Sequence, residues 1–360
     1  MSRVVAVAPV LAGHRYEQAE ISARIGPLLS SDPGRLATLA RFHEHSGVRT
    51  RHFALPLESY AGLRSFGDAN TLFQTIGTEL AEAAVRAALA AADLAPGDVD
   101  FLLFTTVTGV GAPSIDAALV ERVGLRPDVK RLPSFGLGCV AGASGIARAH
   151  DYLAGHPDDV ALVVSVELCS LTIQHGDDSP ANLVASGLFG DGAAAVVMLG
   201  DRRAADRDGL DVLGTRSGLY PDTTGMLGWD VGGSGFRIVL GAGMGDVVEA
   251  HVRADVDALL APHGAALTEV AAWVAHAGGP RILEAATRAL MLGEHALDRS
   301  RRSLAAVGNL SSSSVLHVLA DTLADGAPPP GGLAVLFAFG PGVSAESVLL
   351  RRTGGPEPCR

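Results

Sequence analysis

The sequence predicts an α/β fold in which helices cover both faces of the sheets. Short runs of valine, leucine and alanine recur along the chain, as in strands that are buried on both faces. Alanine-rich stretches of helical length separate these runs. The chain has 360 residues, 48% hydrophobic and 19% charged, which is a globular composition sufficient for about two domain-sized units.

The first half of the chain alternates strands with helices. VVAVAP near the N-terminus predicts a first strand. The same segment loosely resembles a signal peptide, but that interpretation is the less favoured one. We therefore expect a cytoplasmic protein. The elements that follow are a helix over 71–93, a strand over 99–107, a helix over 140–153, and strands over 159–168 and 193–199. The charged, turn-like DRRAADRDG then marks a boundary near residue 205.

The second half repeats this alternation. Its elements are a strand in DVLGTRSG, a helix over 245–260, a strand in EVAAWVAHA, a helix over 309–324, and two strands over 332–339 and 343–352. The last two strands form a hairpin around GPG. The pattern thus divides the chain into two α/β halves of similar size, residues 1–204 and 205–360.

Composition excludes several classes of function. The net charge of −11 and the absence of a basic-aromatic stripe argue against nucleic-acid binding. No apolar run reaches the ~20 residues of a membrane span, and three cysteines cannot form a disulfide framework. Lys130 is the only lysine, so Schiff-base or P-loop lysine chemistry would require that residue itself. His43 and His45 lack a nearby third ligand, so we expect no metal site.

Cys139 is the candidate nucleophile. The segment RLPSFGLGCVAGASGIARAHDYL predicts a strand, a glycine turn and a helix, with Cys139 at the helix start. Free backbone N–H groups and the helix dipole favour an anionic thiolate there. A buried structural cysteine is the alternative. Cys169 lies in apolar SVELCSLT and suits a structural or pocket-wall role, whereas Cys359 is expected to be an incidental exposed thiol.

The same turn imitates a dinucleotide-binding fingerprint. Gly136, Gly138 and Gly142 follow a strand and open a helix, and Glu167 ends a later strand. The motif lies well inside the chain, however, and a thiol in a phosphate-binding turn is unusual. An NAD(P)-dependent dehydrogenase therefore stays only as an alternative, and a hydrolase of the GxSxG type finds no motif.

His276 and Asn309 are candidate partners of Cys139. His276 follows the apolar strand VAAWVA and precedes a glycine turn, a place where catalytic residues of α/β folds collect. Asn309 precedes a run of four serines, where asparagine also suits a helix N-cap. Taken alone, each residue has a structural alternative; taken with Cys139, a catalytic role is favoured.

Four segments resemble the type III polyketide synthases, the chalcone-synthase-like enzymes. They are GCVAGASGIARAHDYL around Cys139, VAHAGGPRIL around His276, VGNLSSSSVL around Asn309, and FAFGPGVSAE near the end. SGLFGDGAAAVV is also similar to the family, and the resemblance covers nearly the whole chain in family order. It implies an α/β thiolase-like fold with a duplicated five-layered αβαβα architecture, and a homodimer.

The resemblance implies an iterative acyltransferase. Cys139 would attack an acyl-CoA thioester, and His276 would stabilise its thiolate as an ion pair. His276 and Asn309 would then donate hydrogen bonds to the malonyl carbonyl, stabilising the enolate left when CO₂ departs. The enolate attacks the acyl group on Cys139, and the cycle repeats. No metal, and no cofactor besides the CoA thioesters, is expected.

The resemblance also assigns wall and CoA positions. Phe189 and Phe236 match the two gatekeeper phenylalanines between CoA tunnel and cavity, with core packing as the alternative. The other pocket positions are Thr108, Ala112, Cys169, Thr172 and Ser311, of which Ala112 stands where chalcone synthases place a methionine across the dimer interface. The matching CoA contacts are Arg41, Gly278, Gly279 and Arg281. Thr38 and His45 replace two lysines of the plant enzymes.

Small residues along the expected cavity suit a long alkyl chain. SVELCSLT and ALPLESY also resemble bacterial members that extend fatty starters. The expected product is therefore an alkylresorcinol or alkylpyrone, made from a medium- to long-chain acyl-CoA with malonyl-CoA or methylmalonyl-CoA as extender. The nearest alternative is a ketoacyl synthase of the fatty-acid initiating type, which shares Cys, His and Asn but performs one condensation.

Overall fold

A nine-stranded sheet runs through the protein in a computed structural model that describes residues 1–354. Cys359 lies outside these residues. Within them, the strands are β1 (Ser2–Leu11), β2 (His14–Glu17), β3 (Thr50–Phe53), β4 (Phe101–Thr106), β5 (Lys130–Phe135), β6 (Val160–Leu168), β7 (Asp191–Gly200), β8 (Leu210–Leu219), β9 (Leu227–Gly232), β10 (Gly235–Leu240), β11 (Val270–Ala275), β12 (Leu333–Gly340) and β13 (Ser344–Arg352). The α-helices are α1 (Gln18–Leu29), α2 (Pro33–Glu44), α3 (Phe66–Ala91), α4 (Ile115–Leu119), α5 (Ala141–Gly155), α6 (Pro180–Leu188), α7 (Met244–Leu260), α8 (Pro280–Ala289), α9 (Asp298–Val307) and α10 (Ser314–Ala324).

The sheet consists of two halves that meet where β1 pairs with β8. The first half has the order β5-β4-β6-β7-β1 and the second the order β8-β13-β12-β11. Helices α5 and α10 contact each other and strands of both halves, so they form a central layer. Helix α3 covers the first half, and α7 with α8 covers the second. The layers therefore alternate as αβαβα, the thiolase-like architecture expected from the resemblance.

The central strands are apolar because both of their faces are covered. Every residue of β6 and β7 is buried, which explains their continuous valine, leucine and alanine runs. Small residues at the start of α5 let that helix lie in the middle layer, where most of its side chains are buried. None of the helices in residues 1–354 combines the length and the apolar character needed to cross a membrane.

Most predicted elements are confirmed within a few residues, but the helix predicted over 309–324 is wrong at its start. Helix α10 begins at Ser314, and Asn309 instead lies in a short backbone bridge with Phe189. The Asn309 N–H donates to the Leu188 carbonyl oxygen at 2.8 Å, and the Gly190 N–H donates to the Asn309 carbonyl oxygen at 3.0 Å. Asn309 is therefore not the cap of α10, whose N-cap is Ser313, and its side chain bonds the backbone of Gly278 and Ser311 instead.

The boundary expected near residue 205 falls in the turn between β7 and β8. Because β1 and β8 belong to one continuous sheet, the two halves are joined by backbone pairing as well as by the chain. The division into residues 1–204 and 205–360 stays a prediction.

Candidate active site

Cys139 lies in the single turn Gly138–Val140 that leads from β5 into α5. Gly138 has φ of +53°, and a Cβ there would lie 2.5 Å from Cδ of Pro341, so glycine is needed for the turn to pass this close. As a whole residue Cys139 is partly exposed, and its Sγ lies 3.6 Å from the Ser311 hydroxyl oxygen. Cys139 is thus a reachable thiol at a helix start, as the sequence predicts.

A small cavity, of about 30 Å³, reaches Cys139. Four of the expected pocket residues line it with Cys139, namely Thr108, Cys169, Phe189 and Ser311. A second small cavity, of about 30 Å³, shares part of this wall and adds Thr172. The residues common to both cavities are Cys169, Phe189, Trp229 and Ile238. The two spaces therefore adjoin each other behind the thiol.

Two expected pocket residues lie elsewhere. Phe236 is buried in the wall of another cavity, of about 230 Å³, which Cys139 does not line. In the β9–β10 hairpin Ile238 pairs with Trp229, so the hairpin register brings Ile238, and not Phe236, into the wall beside Phe189. Ala112 is exposed and lines none of these cavities.

Hydrogen bonds connect Cys139 to His276 and Asn309 through two intermediate residues. Ser311 contacts the thiol with its hydroxyl group, and its backbone N–H donates to Oδ1 of Asn309 at 2.8 Å. Nδ2 of Asn309 donates to the Gly278 carbonyl oxygen at 3.3 Å. The Gly278 N–H in turn donates to the carbonyl oxygen of His276 at 2.8 Å. Three distant segments of the sequence thus meet at one place.

Burial opposes a charge on either member of the expected ion pair. It raises the pKa of the Cys139 thiol to about 12, to which Glu167 adds, and lowers the pKa of His276 to about 4. Nδ1 of His276 is buried and has no hydrogen-bond partner within residues 1–354. Taken singly, both groups are neutral at pH 7. The thiolate–imidazolium pair expected from the sequence therefore requires each charge to stabilise the other.

Glu167 is a buried carboxyl group beside the cavity, which the sequence analysis considered only within a dinucleotide-like pattern. Its Oε2 accepts hydrogen bonds from the Thr108 hydroxyl at 2.9 Å and the Val107 N–H at 3.1 Å, and Oε1 accepts one from the Ser312 hydroxyl. Burial raises its pKa to about 6. These bonds hold the carboxyl group in place beside the cavity. The serine run after Asn309 supplies the Ser312 hydroxyl, and it was the sequence feature that could have indicated a buried carboxyl group here.

The expected CoA contacts lie on neighbouring surface elements. Arg41 is exposed in the last turn of α2, and Arg281 is exposed in the first turn of α8. Gly279 precedes α8 with φ of +145°, a conformation that favours glycine. A Cβ on Gly47, just after α2, would lie 3.2 Å from Pro280, so the two helix ends are in contact. The two arginines therefore flank one region of the surface.

His43 and His45, at the C-terminal end of α2, do not form part of a metal cluster among the residues described. His43 is buried and bonds the Ser22 hydroxyl at 2.6 Å and the Ser186 hydroxyl at 3.0 Å. His45 lies on the exposed side and bonds the Arg41 carbonyl oxygen at 2.8 Å. Within residues 1–354 no three His, Cys, Asp or Glu side chains are grouped as a metal would require.

Gly142→Ala is expected to destabilise the site. A Cβ on Gly142 would lie 2.2 Å from the backbone carbonyl oxygen of Ser312, so α5 must move away from the segment that contacts Cys139. Overpacking of this kind costs about 1–3 kcal/mol. Gly155→Ala, at the other end of the same helix, is the matched control because nothing lies within 4 Å of its Cβ position. Equal melting temperatures for the two variants would contradict this packing.

Comparisons with known proteins agree with the fold. Residues 66–213 match the family model described as FAE1/type III polyketide synthase-like protein, and residues 213–353 match the C-terminal domain of chalcone and stilbene synthases. The chain is 53% identical to 1,3,6,8-tetrahydroxynaphthalene synthase of Streptomyces peucetius subsp. caesius over 349 residues, 97% of this chain and 92% of that protein.

Two further relatives extend the comparison. An alpha-pyrone synthesis polyketide synthase-like protein of Mycobacterium tuberculosis, Pks18, is 30% identical over 92% of this chain and 86% of its own. The crystal structure of tetrahydroxynaphthalene synthase from Streptomyces coelicolor A3(2) superposes with a TM-score of 0.92 at 30% identity, covering 98% of this chain and 100% of that one. The chain therefore belongs to the type III polyketide synthases, condensing acyltransferases of the thiolase-like fold.

Proposed function

We propose that the protein loads an acyl group from CoA onto Cys139 and extends it by repeated decarboxylative condensation with malonyl-CoA. The observation that carries this proposal is the hydrogen-bonded connection from the thiol through Ser311 and Asn309 to the segment of His276. This connection joins the three segments that carry a nucleophile, a base and an amide donor, the groups that covalent thioester catalysis requires.

In the loading step, His276 takes the thiol proton and the Cys139 thiolate attacks the thioester carbonyl. The C–S bond to CoA breaks, and the departing CoA thiolate takes the proton from the His276 imidazolium. Because the proton moves from Cys139 to His276, the net charge of the two residues stays zero. The attraction between the two charges offsets the cost of burying each charge alone. Backbone N–H groups at the start of α5 are suited to the tetrahedral oxyanion.

In the extension step, Asn309 and His276 act on the malonyl thioester. The carboxylate leaves as CO₂, its bonding electrons form an enolate, and hydrogen bonds to the thioester oxygen stabilise that charge. The enolate carbon attacks the acyl carbonyl on Cys139 and releases the thiolate. The bond from Nδ2 of Asn309 to Gly278 is long at 3.3 Å, so substrate can replace it at little cost.

For the product we propose a polyhydroxylated naphthalene of the type that the name 1,3,6,8-tetrahydroxynaphthalene synthase states. The support is 53% identity over 97% of this chain. The bulky side chains of Trp229 and Phe189 line the cavity at Cys139, which favours a compact folded chain over an extended alkyl chain. The second candidate is the alkylresorcinol or alkylpyrone expected from the sequence, which the 30% identity to Pks18 favours.

Product analysis distinguishes the two candidates. The enzyme is incubated with malonyl-CoA alone, and with malonyl-CoA plus saturated acyl-CoAs of increasing length, and products are identified by mass spectrometry. We expect malonyl-CoA alone to yield the naphthalene and fatty acyl-CoAs to be incorporated poorly. Efficient incorporation of a long acyl chain, without a naphthalene product, would establish the alkyl product instead.

We also propose a homodimer formed across the edge strand β5. Four large apolar side chains are exposed on or near this edge: Val110 (39%), Leu132 (46%), Phe135 (49%) and Leu137 (40%). Such a patch at an unpaired sheet edge is typical of a protein–protein interface. Ala112 lies in the same loop as Val110 and is also exposed. A residue that a second subunit covers is exposed in this way when one chain is considered alone.

Phe135→Glu is therefore expected to weaken the dimer. A buried charge without a partner is costly at an interface, so the variant sediments as a monomer at concentrations where the parent protein is dimeric. Met291→Glu, at an exposed side chain away from β5, serves as the control and leaves the sedimentation coefficient unchanged. A monomeric parent protein would refute the proposed dimer.

A further inference from the structure

Arg51 is a buried arginine whose hydrogen bonds are incompletely used. It lies in β3 and is 1% exposed. Its Nε donates to Oε1 of Gln18 at 3.0 Å, and its Nη1 donates to the carbonyl oxygen of Phe189 at 2.7 Å. Nη2 has no partner within residues 1–354. The guanidinium group therefore keeps one buried donor atom, Nη2, unpaired.

A charge in this position is costly to bury. Arg51 forms no salt bridge within the described part of the chain. Asp191 is near enough to stabilise it through space, but the Asp191 carboxylate is already bonded by the N–H groups of Ala54 and Ser170. Burial lowers the pKa of Arg51 to about 9, which leaves the group protonated at pH 7. An uncharged side chain would fill a purely structural position at a lower desolvation cost.

Arg51 belongs to the wall of the second small cavity, which we call the inner cavity. Phe189, Trp229 and Ile238 line this cavity as well as the cavity at Cys139. Among the described residues that line the inner cavity, Arg51 alone carries a full charge. A chain attached to Cys139 and growing inward would therefore direct its far end toward this guanidinium group.

We propose that Arg51 binds an oxygen atom of the growing chain in the inner cavity, an inference that rests on the proposed function. A poly-β-keto chain carries a carbonyl oxygen on every second carbon, and the CH₂ group between two carbonyls is acidic, so the chain readily forms enolates. Guanidinium N–H groups bind such oxygens strongly because the hydrogen bond is charge-assisted. Arg51 is thus a specificity residue for the length and ring closure of the product.

The expected consequence concerns early release of the chain. An enol oxygen that is free to attack the thioester carbon on Cys139 forms a short lactone and expels the thiolate. An oxygen held by Arg51 is less nucleophilic and is kept away from the thioester. Loss of the anchor therefore increases the share of short lactones, while the steps at Cys139 itself are unchanged.

A structural role for Arg51 predicts a different pattern. The bond from Nη1 to the Phe189 carbonyl oxygen lies beside the Phe189–Asn309 bridge, so a general loosening would disturb Asn309. In that case acylation of Cys139, malonyl-CoA decarboxylation and product formation would fall together, with a lower melting temperature. The ratio of products separates the two roles, because loosening slows all products whereas loss of an anchor redistributes them.

The test compares Arg51→Met and Arg51→Lys with the parent enzyme. For Arg51→Met we expect acylation of Cys139 and malonyl-CoA decarboxylation within about threefold of the parent, and a ratio of short lactones to full-length product raised by about tenfold or more. Arg51→Lys keeps the charge and gives an intermediate ratio. Gln18→Met removes the partner of Arg51 Nε, together with the bond from Gln18 Nε2 to the Gly187 carbonyl oxygen, and retains the parental ratio.

An unchanged product ratio in Arg51→Met, or a proportional loss of all steps, would overturn the inference. If Arg51→Met does not fold, Arg51→Lys decides by the same product ratio. The single ammonium group of lysine cannot place one donor at each of the positions that Nη1 and Nη2 occupy in arginine. A parent enzyme that forms no polyketide would instead refute the proposed function, so the two failures are distinguishable.

Discussion

Replacing His276 with alanine is expected to slow alkylation of Cys139 by iodoacetamide at pH 7 by about 100-fold or more. Burial raises the pKa of the thiol to about 12, so a thiol without the imidazole is almost wholly protonated at neutral pH. In the variant, the rate should rise about tenfold per pH unit between pH 7 and 10, as the thiolate fraction grows. If the two groups form the proposed ion pair, the imidazole of the parent protein accepts the thiol proton and we expect the rate to change little over this range.

The measurement is the pseudo-first-order rate of alkylation across this pH range. Cys139→Ala gives the background from the other two cysteines of the sequence, which is subtracted. Superimposable pH profiles for the parent protein and His276→Ala would contradict the ion pair, since they would show that the imidazole does not affect ionisation of the thiol.

Asn309→Asp is expected to slow malonyl-CoA decarboxylation by about 10²–10³-fold, because it removes a donor to the enolate oxygen and adds a competing negative charge. The change is nearly isosteric and keeps an acceptor for the Ser311 N–H, so the local backbone is retained. Release of label from carboxyl-labelled malonyl-CoA measures the step. Acylation of Cys139 by the starter does not use this donor and should change by only a few-fold.

Asn309→Ala serves as the comparison because it removes the donor without adding a charge. It should show a similar loss of decarboxylation and, in addition, a lower melting temperature, since the Ser311 N–H loses its partner. An Asn309→Asp variant that decarboxylates malonyl-CoA at the parental rate would exclude Asn309 as the enolate donor.

The sequence predicts the position of the nucleophile and the layered αβαβα architecture, because both depend on the residue pattern within short segments. A strand, a glycine turn and a helix of small residues place Cys139 at a helix start whatever lies around it. Continuous apolar runs in β6 and β7 likewise indicate strands covered on both faces. These features follow from steric and burial requirements that act within a few residues of each other.

Other features depend on pairings that local pattern does not contain. Ile238 enters the cavity wall through the register of the β9–β10 hairpin, where the family resemblance predicts Phe236. Asn309 is positioned by a bridge to Phe189, distant in sequence, and not by the helix that follows it. The opposing effect of burial on the pKa values of Cys139 and His276 likewise appears only when the layers are assembled.

Buried polar residues are the hardest to anticipate. Arg51 lies in the short strand β3, where the sequence TRHF resembles an ordinary exposed hairpin strand. Glu167 ends an apolar strand, and its hydroxyl partners come from separate loops. Both are stabilised by long-range hydrogen bonds, so their burial is visible only in the folded chain.

The most direct test of the central claim is the site of acylation. The protein is mixed with an acyl-CoA starter in the absence of malonyl-CoA, denatured in acid, digested, and analysed by peptide mass spectrometry. We predict a single acyl adduct on the peptide that contains Cys139, absent from Cys139→Ala. An adduct on the Cys169 peptide, or an acylated Cys139→Ala protein, would contradict the assignment of Cys139 as the residue that carries the chain.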